Sequence, residues 1–233
     1  MPKPCTRRDL FAAAAAVLLA AGCSETVSSA PGERPRGSIP GFQLPAEAGQ
    51  TRPDLRSVAM VGDSITVRSK PALTTAFNAQ GITSVVIDAE VSRRIEIGNG
   101  KQEPLNGEQV MTNLLKIGVD PDVWVVALGT NDVGSYDQAG YAALIDAMLA
   151  KLPASKPLVW IDVFRPSDMS DTVLFNQVLR DRAARRPHTL VASWFDVASK
   201  SPKKLLTSDN LHPSDAGTLA FADVVGSAVA LAR

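Results

Sequence analysis

The chain has 233 residues, room for one domain of ordinary size plus a tail, and 45% of them are hydrophobic, enough for a full core. Its 24 basic residues balance 24 acidic ones, so the composition lacks the charge excess that attracts nucleic acid or steers a strongly charged ligand. The two cysteines, Cys5 and Cys23, lie near the N-terminus, which leaves the body without a disulfide, and two histidines argue against a metal centre built on His and Cys.

The chain opens as an address. Lys3, Arg7 and Arg8 precede an apolar run from Leu10 to Ala21, the layout of a secretory signal, too short and alanine-rich for a membrane span. Leu19-Ala20-Ala21-Gly22-Cys23 resembles the lipobox of bacterial lipoproteins, in which the cysteine is lipidated and becomes the new N-terminus; the usual large aliphatic residue is displaced by one position, to Leu19. Thr6-Arg7-Arg8-Asp9-Leu10-Phe11 resembles a twin-arginine export signal, against the alternative of a basic leader that pairs arginines by chance. The expected organisation is a signal over 1–22, lipidation at Cys23 with attachment to the outer face of the membrane, and a tether over 23–53. Pro31, Pro35, Pro40, Pro45 and Pro53 lie in that tether among Ser, Gly, Glu and Arg, without apolar periodicity.

From residue 54 the pattern alternates strand and helix. Residues 57–61 read as a strand, and Pro71 reads as the start of a helix that ends near Gly81. A strand is expected over 84–89, and a helix over 108–117 with Val110, Leu114 and Ile117 on one face. The nearly unbroken apolar run 122–128 reads as a strand buried on both faces. An amphipathic helix follows over 137–152, a strand over 157–164, and a helix capped by Ser170 that runs to about Arg186. The last pair is a strand over 190–197 and a closing helix from Pro213 to Ala232. Five strands alternating with helices specify an α/β domain, a parallel sheet covered on both sides, over residues 54–233.

In such a sheet, ligands sit beyond the carboxyl ends of the strands. The loops at that edge carry most of the unusual polar residues: Gly62-Asp63-Ser64, Val91-Ser92-Arg93-Arg94, Gly129-Thr130-Asn131-Asp132, Phe164-Arg165 and Asp209-Asn210-Leu211-His212. His188 precedes the fifth strand and belongs to the opposite edge, as a surface residue. Ser64 needs a base and an orienting acid to act as a nucleophile, and His212 with Asp209 three residues earlier supplies both types at the right edge. The oxyanion of the intermediate needs fixed donors, for which the candidates are the backbone N–H groups of Ser64 and Ser92 and the side-chain amide of Asn131.

These blocks, in this order, resemble the SGNH hydrolase superfamily of GDSL-type esterases. Gly62-Asp63-Ser64 matches its first block, Gly129-Thr130-Asn131-Asp132 its third, and Asp209-Asn210-Leu211-His212 its last. The resemblance implies a flavodoxin-like three-layer fold with strand order 2-1-3-4-5 and Ser-His-Asp chemistry without a cofactor or metal. No Gly-x-Ser-x-Gly elbow is present, which argues against an ordinary α/β-hydrolase. The second block departs from the family, because Ser92 stands where a glycine normally completes the oxyanion hole. That version resembles the extracellular domains of peptidoglycan O-acetyltransferases, where the arginine that follows also recurs. Arg93 is therefore a candidate to face the substrate, with a surface salt bridge as the alternative. Asp63 and Phe164 are further candidates for substrate contact; Phe164, Arg165 and Trp194 either line the pocket or simply pack.

The expected activity is hydrolysis of small acyl esters, acetyl above all, on an envelope glycan or related substrate, by a monomer that binds no nucleic acid. The alternative is transfer of acetyl to a cell-wall sugar hydroxyl, which would need a partner to deliver the donor. A non-catalytic glycan-binding module is the third reading, and the presence of Ser64 and His212 weighs against it.

Overall fold

The computed structural model describes residues 55–96 and 105–232. The expected signal peptide, Cys23 and the tether lie outside the described residues.

Five strands form one parallel sheet in the order β2-β1-β3-β4-β5: β1 Ser57–Gly62, β2 Ser84–Ala89, β3 Val123–Ala127, β4 Leu158–Ile161 and β5 Thr189–Ala192. This is the strand order that the resemblance implied. Each central strand is apolar on both faces because helices cover both. On β1, Val58 and Met60 enter one apolar layer and Ala59 and Val61 the other; on β3, Val123 and Val125 alternate in the same way with Trp124 and Val126. Helices α1 (Ser64–Ala79) and α7 (Asp215–Leu231) contribute Leu73, Phe77, Phe221 and Val225 to the first layer. Helices α2 (Gly107–Lys116), α3 (Gln138–Lys151) and α4 (Met169–Ala183) contribute Met111, Tyr141, Ile145 and Phe175 to the second. No helix among the described residues is long and apolar enough to cross a membrane.

Four expectations about the elements need correction. Helix α1 begins at Ser64, not at Pro71, because the Asp63 carboxylate caps it by accepting the Ile65 N–H at 3.0 Å. Pro71 therefore sits inside the helix, where its missing N–H forfeits one bond that burial of Ile65, Leu73 and Phe77 outweighs. Ser170 lies within α4 and does not cap it; a short 3₁₀ turn, Pro166–Asp168, leads in instead. Strand β4 stops at Ile161, short of the expected Phe164. Strand β5 stops at Ala192 because the Ser193 hydroxyl accepts the Asp196 N–H at 3.1 Å and starts a short helix, α5 (Trp194–Lys200), followed by α6 (Pro202–Leu205).

Candidate active site

The first sheet-edge loop places a serine at a helix N-terminus. Ser64 is the first residue of α1 and is 8% exposed. Gly62, two residues earlier, is required by a close approach: a Cβ there would lie 2.1 Å from Thr66 Oγ1. The chain can therefore fold the first turn of α1 tightly against the end of β1.

The last loop closes on itself. Thr207 N–H donates to the His212 carbonyl at 2.8 Å, Leu206 and Pro213 form an isolated antiparallel bridge, and Ser214 N–H donates to the Leu205 carbonyl at 2.9 Å. Inside this loop Asp209 divides its two oxygens. Oδ1 accepts from the Thr207 hydroxyl (2.7 Å), the Leu211 N–H (2.9 Å) and the His212 N–H (3.0 Å), while Oδ2 faces His212 Nδ1 at 2.8 Å. The three-residue spacing follows from this arrangement, since one carboxylate both holds the turn and meets the ring. Asn210, between them, has φ +57°, a left-handed conformation that asparagine tolerates. The imidazole beside it, then the hydroxyl and backbone donors, hold the Asp209 carboxyl far below the usual carboxylate range.

Packing of α7 against α1 closes the remaining distance. His212 Nε2 lies 2.9 Å from Ser64 Oγ, across 148 positions of sequence. Serine hydroxyl, imidazole and carboxylate thus form one continuous hydrogen-bonded chain, with the imidazole able to accept from Ser64 while it donates to Asp209. The Ser64 end is buried; the His212 and Asp209 side chains are 34% and 51% exposed.

The second block forms a tight turn. Arg93 N–H donates to the Glu90 carbonyl at 3.4 Å, and Ser92 has φ +61° at the third position of that turn, a place that favours glycine. Serine therefore takes up the backbone conformation that a glycine would supply. Among the described residues, no acceptor meets the N–H of Ser92, and Ser64 N–H is an uncommitted first-turn amide of α1. Asn131 Nδ2 donates to the Arg93 carbonyl at 3.0 Å, which occupies one of its two N–H bonds and leaves the other.

Three residues expected to meet a substrate are turned elsewhere. Arg93 is 4% exposed and its guanidinium does not face solvent; its salt bridge reaches the surface only on the Asp88 side, where the carboxylate is 41% exposed. Its guanidinium donates to the carbonyls of Leu105, Gly62 and Asp88 and pairs with the Asp88 carboxylate at 2.8 Å, because only an ion partner and carbonyl oxygens make its burial tolerable. Asp63 is 1% exposed and serves as the α1 cap; burial pushes its carboxyl up to about 6 against the opposing pulls of the Ile65 N–H and the Thr130 hydroxyl. Phe164 is buried and packs edge-on against Phe195. Trp194 is likewise buried, edge-on to Phe221, whereas Arg165 Nη1 donates to the Thr130 carbonyl and steadies the third block from outside. His188 lies just before β5, away from the Ser64 edge, as the sequence suggested.

Sequence reasoning did not single out Thr207 or Asp88. Both act on chain neighbours only after the loops have folded; Thr207 stands in no motif, and Asp88 only opens the stretch that leads to Ser92. Asp132 links the third block to the second: it accepts the Ile95 N–H at 3.1 Å and Arg94 Nε at 3.3 Å. Its carboxyl is pushed up to about 6 by burial.

Fold and site together define a three-layer α/β protein of SGNH hydrolase architecture, with a serine, a histidine and an aspartate hydrogen-bonded in series at the carboxyl edge of its parallel sheet. The family model of the GDSL-like lipase/acylhydrolases matches residues 60–220, and the chain belongs to that family of ester-hydrolysing enzymes. Solved structures of similar fold include the C-terminal catalytic domain of Streptococcus pneumoniae peptidoglycan O-acetyltransferase A with a methylsulfonyl adduct (20% identity, TM-score 0.59, 77% of this chain and 96% of that one). They also include a Clostridium thermocellum family 3 carbohydrate esterase (17%, 0.57, 76% and 98%). A carbohydrate acetylesterase from Sinorhizobium meliloti is similar as well (14%, 0.58, 75% and 98%). No curated protein sequence matches the chain.

Proposed function

We propose that this protein is a serine esterase that removes small acyl groups, acetyl first among them, from an envelope glycan or a related ester. The observation that carries the reading is the 2.9 Å contact of Ser64 Oγ with His212 Nε2, with Asp209 on the other ring nitrogen. In this reading, Ser64 Oγ attacks the ester carbonyl carbon while its proton passes to His212 Nε2. The tetrahedral oxyanion is met by the N–H groups of Ser64 and Ser92 and by Asn131. Its collapse breaks the C–O bond to the alcohol, which leaves with the proton from Nε2; a water molecule then repeats the sequence on the acyl-enzyme and frees Ser64. Asp209 keeps the imidazole in the tautomer that can accept this proton and offsets its positive charge. No cofactor or metal takes part.

The glycan substrate class is supported by two of the similar structures, which are carbohydrate esterases by name. The second reading is acetyl transfer to a sugar hydroxyl in place of water. It is favoured by Ser92-Arg93 in the second block and by likeness to a peptidoglycan O-acetyltransferase domain. The leader and Cys23 support export of the domain and its anchoring at the outer face of the membrane.

The test uses the purified protein with p-nitrophenyl acetate, alone and with a chito-oligosaccharide acceptor. Nitrophenol released without acetylated sugar, and lost in Ser64→Ala, is the expected result. Acetylated oligosaccharide accumulating instead would establish transfer, and release that does not depend on Ser64 would sink both readings.

A further inference from the structure

Arg93 bonds to Asn131 directly and to the segments that carry the Ser64 and Ser92 donors, with its side chain buried. Its Nη1 donates to the carbonyl of Gly62 at 3.1 Å, two residues before Ser64. Its carbonyl accepts Asn131 Nδ2 at 3.0 Å. Its own N–H closes the turn whose third residue, Ser92, carries the second backbone donor.

The remaining bonds fix the side chain in place. Nε donates to the Leu105 carbonyl at 3.0 Å, Nη1 also donates to the Asp88 carbonyl at 2.9 Å, and Nη2 pairs with Asp88 Oδ1 at 2.8 Å. One planar guanidinium thereby joins the ends of β1 and β2 to the segment entering α2. The turn it anchors is not one that its own residues prefer. A serine at φ +61° is strained where a glycine would not be, and such a conformation persists only where surrounding contacts over-determine it.

We propose that Arg93 is the positioning residue of the oxyanion hole: its buried guanidinium holds Ser92 in the left-handed conformation that aims the Ser92 N–H, and its carbonyl orients Asn131, without contact to substrate. The combination of a serine in the glycine position and an arginine after it is then one device. The side chain supplies the rigidity that lets a non-glycine residue serve. This inference rests on the esterase reading and adds to it a residue that acts only through Ser92 and Asn131.

The experiment compares the full-length protein with Arg93→Met, Arg93→Lys and the double variant Ser92→Gly/Arg93→Met. It follows kcat and KM on p-nitrophenyl acetate, with the folded fraction measured by circular dichroism. Loss of an oxyanion donor costs about 10²–10³ in rate. Partial misplacement in Arg93→Met should lower kcat roughly 30- to 100-fold with KM changed less than about twofold. Arg93→Lys keeps the charge near Asp88 but cannot span the same acceptors, so it should show the same split to a smaller degree; it carries the test if Arg93→Met does not fold. Ser92→Gly in the Arg93→Met background should restore kcat by roughly five- to tenfold, because glycine adopts the turn without an anchor. A rise in KM at constant kcat in either single variant, or a loss that merely tracks the unfolded fraction, overturns the proposal. So does failure of glycine to restore rate to a folded double variant. Wild-type protein without Ser64-dependent release overturns the esterase reading and this inference with it, whereas wild-type turnover matched by both Arg93 variants overturns the inference alone.

Discussion

The Thr207 hydroxyl donates to Asp209 Oδ1 at 2.7 Å, on the oxygen that does not face His212. It braces the carboxylate from behind, together with two backbone N–H groups. Thr207→Val keeps the shape and removes the donor. The expected outcome is a fall in kcat of about three- to tenfold, roughly 1 kcal/mol in the barrier, with KM unchanged. Thr207→Ser should stay within about twofold of wild type. Steady-state kinetics decide it; a loss in Thr207→Ser with Thr207→Val unaffected would assign the effect to the methyl group instead of the hydroxyl.

Asn131 keeps one side-chain N–H on the Arg93 carbonyl and has a second to offer. Removing it in Asn131→Ala should lower kcat by about 10²-fold and leave KM nearly untouched, since the donor matters most once charge has developed on the carbonyl oxygen. A loss expressed mainly in KM would place Asn131 in ground-state binding instead.

Gly62 and Gly81 should respond differently to alanine. At Gly62 the added Cβ meets Thr66 Oγ1 at 2.1 Å and Thr66 Cβ at 2.4 Å, inside the packed junction of β1 and α1. Gly62→Ala should destabilise by about 3 kcal/mol or more, at the upper end of overpacking costs. At Gly81 nothing lies within 4 Å and only φ +81° resists, so Gly81→Ala should cost about 1–2 kcal/mol. Urea denaturation at neutral pH measures both, and a smaller loss at Gly62 than at Gly81 would contradict the packing argument.

Asp63 links stability to pH. Its carboxyl is raised to about 6 in the folded protein by burial, against roughly 4 in an unfolded chain. Between those values the folded state keeps a proton that the unfolded state releases, so raising the pH favours unfolding. The stability contributed by the protonated group is complete below about pH 4 and is lost as the pH passes 6, at up to roughly 1.4 kcal/mol per pH unit. Asp63→Asn keeps an acceptor for the Ile65 N–H and should flatten the slope between pH 4 and 6 by about one proton. Urea unfolding across that range measures it, and an unchanged slope would show that Asp63 stays ionised in the fold.

Much of the architecture could be read in the sequence because it depends on local patterns. Apolar runs at 57–62, 84–89 and 123–127 alternate with helical periodicity, and connections of this kind admit few sheet orders. Helix starts were less legible. Pro71 has the residue type of a first-turn position, yet the Asp63 cap starts α1 seven residues earlier. The apolar residues Trp194, Phe195 and Val197 read as strand, and the Ser193 cap turned them into helix. In both cases a single side-chain hydrogen bond outweighed a weak propensity.

The candidate site divides along the same line. The sequence by itself determined the residue types and the edge on which they fall, and for Asp209 and His212 it also determined their meeting, since a three-residue turn leaves the chain few other geometries. Only the tertiary structure decided that Ser64 lies 2.9 Å from His212 across 148 positions, because packing of α1 against α7 fixes that distance. It also decided that Arg93 turns inward. An arginine at a loop can meet solvent, substrate or the protein interior, and the choice depends on acceptors that three separate segments assemble: Gly62, Asp88 and Leu105. Burying a charge is favourable only when those partners are already in place, and no stretch of sequence holds all of them.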